Sequence, residues 1–447
     1  MTIAIISLGC PKNQTDADVM AHALLAAGHT TTAEPSEADC ILINTCAFIE
    51  SAKQEAIDTI LEACSYKQSN PGLKVVVTGC LAERYKSEIV REIPEVDAVV
   101  GMASNKNIVK VLARLDHERP VEAYGPKEEY ALGGARVIST PRHYAYLKIA
   151  EGCNNRCAYC AIPLIRGNLR SRTIEDVVAE AQFLAGEGVK ELIVVAQDVT
   201  AFGTDRGACE TPALLDALNQ VEGIRWIRLL YAYPERITDE FIDAMQRNDK
   251  VLHYLDVPIQ HIDSDVLRAM NRKGDETTVR TALARLRAAM PDITLRTTLI
   301  AGFPGETQAQ FEKLCRFVRE EKFERLGCFA YSEEEGTRAA KMEQLPEALR
   351  AERAEAVMRI QADVMSELQR EKIVRTMTVL CDGYDDENDL YLCRSKADAP
   401  DIDAVVCVAA DGTMFPGEFY TVRITDSDVY DLYAELLGPA DGEEDAG

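Results

Sequence analysis

Eight residues, Cys153-Asn154-Asn155-Arg156-Cys157-Ala158-Tyr159-Cys160, carry three cysteines at Cys-x3-Cys-x2-Cys spacing. Three thiolates so close together can hold three irons of a four-iron cluster and leave the fourth iron open to an exogenous ligand. A structural zinc site, the bland alternative, wants a fourth Cys or His nearby, and none lies close in sequence. Three further cysteines, Cys10, Cys46 and Cys80, follow three apolar strand patterns, two of them in Gly-Cys pairs. One strand-end cysteine is ordinarily a small packing residue. Three of them suggest a second cluster, and glycine lets backbone approach a bulky group closely.

The elements that must position these thiols can be read in the hydrophobic pattern. Strands are expected at residues 3–8, 40–44 and 73–78, with helices at 16–27 and 52–64. This alternation predicts an α/β fold that opens with a doubly wound parallel sheet. Ligands of such sheets bind at the carboxyl ends of the strands, so Cys10, Cys46 and Cys80 should meet on one rim. Further strands are expected at 144–150, 191–196, 226–231, 252–257, 294–300 and 325–330. Helices between them are expected at 174–185, 212–220, 239–246, 277–289 and 308–321, the first opened by a capping pair, Thr173 and Asp176. Six strand–helix units predict an open (βα)6 partial TIM barrel whose active face is the C-terminal ends of its strands.

A polar helix is expected at 347–371. Short strand patterns at 378–381, 390–394, 404–408, 419–424 and 432–436 predict a small antiparallel β-barrel of the oligonucleotide-binding type. The expected division is an N-terminal domain at 1–117, a Gly- and Pro-rich linker at 118–138, the barrel core at 139–375 and the terminal barrel at 376–442. Residues 441–447 are expected to fray.

Of 447 residues, 47% are hydrophobic and 28% charged, the balance of a soluble globular protein. No apolar run is long enough to span a bilayer, and the apolar stretch 1–10 reads as a strand rather than a signal, so a cytoplasmic location is expected. Fourteen cysteines without a secretory signal point to metal or redox chemistry rather than a disulfide scaffold. The net charge of −25 repels phosphate backbones and suits a basic protein partner. From Met377 onward 18 acidic residues face three basic ones, Arg394, Lys396 and Arg423.

Weaker signals complete the inventory. Gly302-Phe303-Pro304-Gly305-Glu306 follows a strand, and Gln197-Asp198 ends another. Both could line the mouth of the barrel, although Gly-Pro turns are common. His261 could line it too, but a lone histidine is more often a structural hydrogen-bonder. Cys40, Cys64, Cys315, Cys328, Cys381, Cys393 and Cys407 read as packing residues; Cys209 lies in an expected loop.

Together these motifs resemble the radical S-adenosylmethionine (SAM) methylthiotransferase family over nearly the whole chain. The likeness runs through Ser7-Leu8-Gly9-Cys10-Pro11-Lys12-Asn13, Asn44-Thr45-Cys46, Gly79-Cys80, Glu151-Gly152-Cys153 through Cys160, Arg166-Gly167 and Gly302 through Glu306, and the tail resembles a TRAM domain. The resemblance implies two 4Fe-4S clusters. One would sit on Cys10, Cys46 and Cys80 and handle the sulfur to be inserted. The other, on Cys153, Cys157 and Cys160, would bind SAM and cleave it to a 5′-deoxyadenosyl radical. SAM would thus be both methyl donor and radical source, with Gln197, Gly302 and Gly305 among its contacts.

The family has two main bacterial branches. One modifies an adenosine of transfer RNA; the other modifies the β-carbon of an aspartate in ribosomal protein S-twelve. Cys10-Pro11-Lys12-Asn13 is similar to the second, where the RNA branch has Gln-Met-Asn after the cysteine. So are Gly79 through Tyr85, Ala196-Gln197-Asp198 and Asp385 through Tyr391. The implied activity is conversion of that aspartate to 3-methylthioaspartate. The implied partners are basic S-twelve, with the acidic TRAM domain contributing, a sulfur donor and a reductant; nucleic acid would not be the main substrate. The alternatives are the transfer-RNA enzyme of the same family and, from another class, a non-catalytic iron–sulfur electron carrier. Carriers of the ferredoxin kind close their clusters with four cysteines.

Overall fold

The computed structural model describes residues 1–410 and 414–440; the stretch 441–447 expected to fray lies outside them. The N-terminal sheet contains β1 (Thr2–Ser7), β2 (Thr30–Thr32), β3 (Cys40–Thr45), β4 (Lys74–Gly79), β5 (Ala98–Val100) and β6 (Val121–Ala123). Its order is β2-β1-β3-β4-β5-β6, and every pair is parallel. Alternate residues of the central strands feed two cores, because successive side chains point to opposite faces. Ile3, Leu42 and Val76 pack with α1 (Pro11–Ala26) and α5 (Ile108–Arg114). Ile41, Ile43, Val75 and Val77 pack with α2 (Glu50–Ser65), α3 (Cys80–Tyr85) and α4 (Ser87–Glu92). The sheet is therefore doubly wound. Its strand order reverses between β1 and β3, the crevice where ligands sit in such sheets.

Two elements depart from the sequence pattern. β6 falls within residues 118–138, which read as linker, because three residues are too few to show a strand period. Helix α1 begins at Pro11 rather than residue 16. Proline is at home in a first helical turn, where its missing N–H costs nothing. Lys12, Asn13 and Thr15 are polar yet buried, so no apolar stripe marks that turn.

The central sheet is formed by β7 (Tyr144–Lys148), β10 (Glu191–Val195), β11 (Trp226–Leu229), β12 (Val251–Asp256), β13 (Thr294–Ala301) and β14 (Arg325–Ala330), in that spatial order and all parallel. A short antiparallel ribbon, β8 (Ala150–Glu151) with β9 (Arg170–Ser171), brackets the three clustered cysteines and α6 (Ile162–Arg166). Outside the strands lie α7 (Ile174–Gly186), α8 (Thr211–Asn219), α9 (Asp239–Arg247), α10 (Ser264–Ala269), α11 (Glu276–Ala289) and α12 (Gln308–Glu321). Thr173 Oγ1 accepts the Asp176 N–H at 3.2 Å, capping α7 as expected. The sheet stays open. Helix α13 (Glu347–Arg370) covers its β14 edge, where Met358 Sδ accepts the Cys328 N–H at 3.2 Å and Gln361 donates to the Phe323 carbonyl at 2.8 Å.

The terminal barrel closes in the ring β15 (Thr376–Asp385), β16 (Leu390–Ser395), β17 (Val406–Ala409), β19 (Leu432–Pro439) and β18 (Phe419–Ser427). It is not wholly antiparallel, because β17 and β19 run parallel. Five strands cannot alternate direction around a closed ring, so one pair must be parallel. This barrel plugs the N-terminal end of the central one. Leu380 and Phe419 pack on Tyr144, Trp226, Leu252 and Tyr254, with the Trp226 and Phe419 rings edge-on at 4.9 Å. No helix among the described residues is long and apolar enough to cross a membrane.

Candidate functional site

The first cysteine group lies at the β1/β3 crevice. Cys10 precedes the first turn of α1, Cys46 follows β3, and Cys80 opens α3 directly after β4. Two glycines bring these strand ends together. Gly9 has φ +87°, and a Cβ on it would stand 2.7 Å from Cys46 Cβ; Gly79 has φ +90°, and its Cβ would meet the Thr45 carbonyl at 2.5 Å. Only glycine fits either position. The close approach is thus to neighbouring protein rather than to a cofactor. Asn13 ties the ends, its Nδ2 donating to the carbonyls of Leu8 at 2.8 Å and Thr45 at 3.1 Å. Burial pushes the Cys46 thiol up, and pushes Cys80 up to about 12 against the pull of Arg166. Both thiols lie within electrostatic range of Cys10.

The second group lies at the C-terminal end of the central strands. Cys153 and Cys157 are buried and Cys160 is half-buried. Their loop is fastened at both ends: the Cys153 N–H donates to Gly167 O at 3.1 Å and the Ala158 N–H to Met270 O at 2.8 Å. Cys157 Sγ is 3.6 Å from the Tyr233 hydroxyl. Burial raises Cys153 to about 11 and raises Cys160 as well, and both thiols lie within electrostatic range of Cys157. Asn155 donates to Asp198 Oδ2 at 2.9 Å, while its own Oδ1 is buried without a partner.

A buried charge network joins the two groups. Arg166 Nη1 is 2.9 Å from Glu151 and 3.2 Å from Asp16, and Nη2 is 3.2 Å from Asn13 Oδ1 and 3.5 Å from Cys80 Sγ. Lys148 pairs with Asp16 and, at 3.2 Å, with Glu151. Burial alone would push the Glu151 carboxyl up, but Arg166 and Lys148 outweigh it and hold it well below the ordinary carboxylate range. One guanidinium therefore touches both the barrel's acid and an N-terminal thiol.

Gln197 donates to Glu151 at 3.0 Å and leaves its Oε1 buried and unpartnered. Asp198 pairs with Arg236, and burial raises its pKa. Gly302 is engaged within the fold: its N–H donates to Glu306 at 3.1 Å, and a Cβ there would lie 2.6 Å from Arg350 Cγ. Nothing lies within 4 Å of the Cβ position of Gly305. His261 is a structural residue, accepting the Asp263 N–H at 2.9 Å; its Nε2 is 3.2 Å from Glu306, outside hydrogen-bonding geometry. Cys209 is exposed, as its loop position suggested.

Asp16, Lys148, Tyr233 and Arg272 were not expected from the sequence: Asp16 is in the first turns of α1, which carry no apolar stripe, Lys148 ends β7, and Tyr233 and Arg272 lie in loops. Arg272 stacks on Tyr233 at 4.0 Å, donates to Pro258 O at 3.0 Å and leaves Nη1 unpartnered.

Among the described residues no three His, Cys, Asp or Glu converge tightly enough to share one metal ion. A cluster asks for something else, because its irons occupy separate corners and each takes its own thiolate. Two groups of three thiols, with buried unpartnered oxygens on Asn155 and Gln197 beside one of them, fit clusters with an open corner.

Comparison with known proteins agrees with this architecture. Residues 2–101 match the uncharacterized protein family UPF0004, residues 147–318 the Radical SAM superfamily, and residues 373–437 the TRAM domain. The fold is similar to that of a radical S-adenosylmethionine methyltransferase, TsrM, from Kitasatospora setae (TM-score 0.55, 13% identity, 73% of this chain and 72% of that one). Fold and matched domains thus define a radical SAM protein with a TRAM tail. The ribosomal protein uS12 methylthiotransferases RimO of Acetivibrio thermocellus and Desulfitobacterium hafniense are each 44% identical to it, over 97% of this chain and 98% of theirs. The chain belongs to the RimO ribosomal protein uS12 methylthiotransferase family.

Proposed function

We propose that the protein replaces a β-hydrogen of an aspartate in ribosomal protein uS12 with a methylthio group, giving 3-methylthioaspartate. The observation that supports this reading is the position of Arg166, bonded to Glu151 (two residues before Cys153) and 3.5 Å from Cys80 Sγ of the other group. Cys153, Cys157 and Cys160 would hold a SAM-binding 4Fe-4S cluster, and Cys10, Cys46 and Cys80 a second one. When bound, these groups supply an electron, a hydrogen-abstracting radical from SAM, and the sulfur and methyl to be transferred. The chain's own residues orient and enclose. Gln197 Oε1 and Asn155 Oδ1 offer acceptors to SAM, Gly305 gives it open backbone, and Gly302 holds that turn through Glu306. Arg272 offers a guanidinium without a carboxylate partner to the SAM carboxylate. The N-terminal domain shuts water out of the mouth.

The acidic terminal barrel sits at the far end of the strands, so it would grip basic uS12 away from the reacting atoms. It carries Phe415 at 66% exposure and Tyr384 at 45% near Asp385 and Asp389. Acidic side chains give complementarity, and aromatic ones give contact area. The division at 1–117, 118–138, 139–375 and 376–442 and a cytoplasmic site of action belong to the same proposal.

The test is to reconstitute the protein with iron and sulfide, add SAM and reductant, and offer uS12 and transfer RNA in turn. The expected result is uS12 heavier by a methylthio group in place of hydrogen. Modification of RNA alone would select the other branch of the family. Absence of 5′-deoxyadenosine would favour an electron carrier. Iron matching two clusters per chain, rather than one, is also expected.

A further inference from the structure

Lys12 is buried, yet it has no ion pair among the described residues. Its Nζ donates only to the Ala196 carbonyl, at 3.3 Å, and stands 3.9 Å above the Tyr231 ring. The other buried or half-buried cations around it are matched: Lys148 and Arg166 with Asp16 and Glu151, Arg296 with Asp256, Arg236 with Asp198. A buried lysine with no carboxylate within ion-pairing distance among the described residues is placed to receive an anion from outside the chain.

Its position is specific. Lys12 is two residues after Cys10 on the N-terminal domain, and its side chain crosses to Ala196 and Tyr231, at the C-terminal ends of β10 and β11. The ammonium therefore stands where the two cysteine groups face each other. Tyr231 is held at φ +70°, in the left-handed region that non-glycine residues rarely enter, with its N–H donating to Asp256 at 3.2 Å. Strain of this kind persists where surrounding structure imposes it, often at functional sites. Here it sets the aromatic face beneath the ammonium. The other unmatched buried cation of the mouth, Arg272, lies beside Tyr233 and Cys157, on the cofactor side.

We infer that Lys12 receives the side-chain carboxylate of the substrate aspartate and so fixes its β-carbon between the two cysteine groups. The inference rests on the proposed activity, which supplies the aspartate. The carboxylate is bonded directly to the β-carbon, so an ion pair at one end places the other. Asparagine has the same shape and no charge, and a site built around an unmatched ammonium rejects it.

The experiment measures binding of iron-loaded protein to uS12 and to uS12 with the target aspartate replaced by asparagine, without reductant. The wild type is expected to prefer the aspartate form by about 10- to 100-fold, the range of one buried charge contact. Lys12→Met should bind both forms alike with full iron content, and Lys12→Arg should keep part of the preference. An unchanged preference in Lys12→Met, or no preference in the wild type, overturns the inference. Iron loss in Lys12→Met also overturns it, since the ammonium would then serve the neighbouring thiolates. Failure of wild-type protein to modify uS12 in the reconstituted assay would instead refute the activity itself.

Discussion

At the N-terminal end of the central strands, Arg228, Glu191, Arg394, Asp382 and His143 form an unbroken run of contacts at 2.6 to 2.7 Å. At the C-terminal end, Asn155 Oδ1, Gln197 Oε1 and Arg272 Nη1 are buried with no partner among the described residues, and Lys12 has no carboxylate contact among them. Both ends join the barrel to another domain, but they are joined differently. At the base the buried charges find their match within the chain, although Arg325 Nε, Gln361 Oε1 and Gln369 Oε1 are buried without a partner among the described residues. At the mouth, groups are left for something the chain does not contain. An unpaired buried group costs about 1–3 kcal/mol at either end. The ends differ in that the base pairs its buried charges, whereas Lys12 and Arg272 at the mouth have no carboxylate contact among the described residues. The base is a permanent joint, and the mouth is a receptacle.

The largest effect should come from removing a thiol at the mouth. Cys157→Ala is expected to abolish 5′-deoxyadenosine formation from SAM while thermal unfolding changes little. Retained formation would refute the assignment of that cysteine group. The complementary change at the base is Arg394→Met, which leaves Glu191 with one cation and Asp382 with His143. Stability should fall by about 3–5 kcal/mol, the usual cost of breaking a buried pair from one side. Denaturant unfolding would measure this, and a loss below about 1 kcal/mol would contradict the tightly matched joint.

A subtler comparison uses Gln197→Met, which removes an unpartnered oxygen and one hydrogen bond to Glu151. Stability should stay within about 1 kcal/mol of wild type, whereas the KM for SAM should rise by about tenfold. A large destabilisation with unchanged KM would make Gln197 a structural residue.

The smallest effect is the response to acid. At the base, burial pushes Asp398 and Asp382 up, but Arg325 for the first and His143 and Arg394 for the second hold both below the ordinary carboxylate value. A carboxyl with a depressed folded value stabilises above its unfolded value, and that contribution is lost as pH falls through the folded one. At the mouth, burial raises Asp198 and Asp256 despite Arg236 and Arg296. Their contribution has the opposite sign, stability declining as pH rises through the raised values. Asp398→Asn should therefore flatten the acid limb of Tm against pH, and Asp256→Asn should not. Equal flattening by both would remove the contrast between the two ends.

The sequence by itself determined the strand–helix alternation of both α/β units, the five strands of the tail, and the six cysteines as candidates. These signals are local: apolar runs, helical periods, capping at Thr173, and spacing within one loop. It also carried the acidity of the tail, a matter of counting. It did not show β2, β5 or β6, whose three residues carry no period, or the parallel β17–β19 pair, which follows from ring closure. That Cys10, Cys46 and Cys80 meet on one rim was legible in the strand ends; the order of the strands, the tight contacts of Gly9 and Gly79 and the Arg166 link from Glu151 to Cys80 came only with the tertiary structure. The surroundings of Arg166, Arg272 and Lys12, on which their proposed roles rest, came from the tertiary structure as well. A basic residue in a sequence is normally a solvated charge, and nothing local shows that folding will bury it with or without an anion. For Lys12 the missing anion is a property of the assembled mouth, since its neighbours Ala196 and Tyr231 stand far away in the chain.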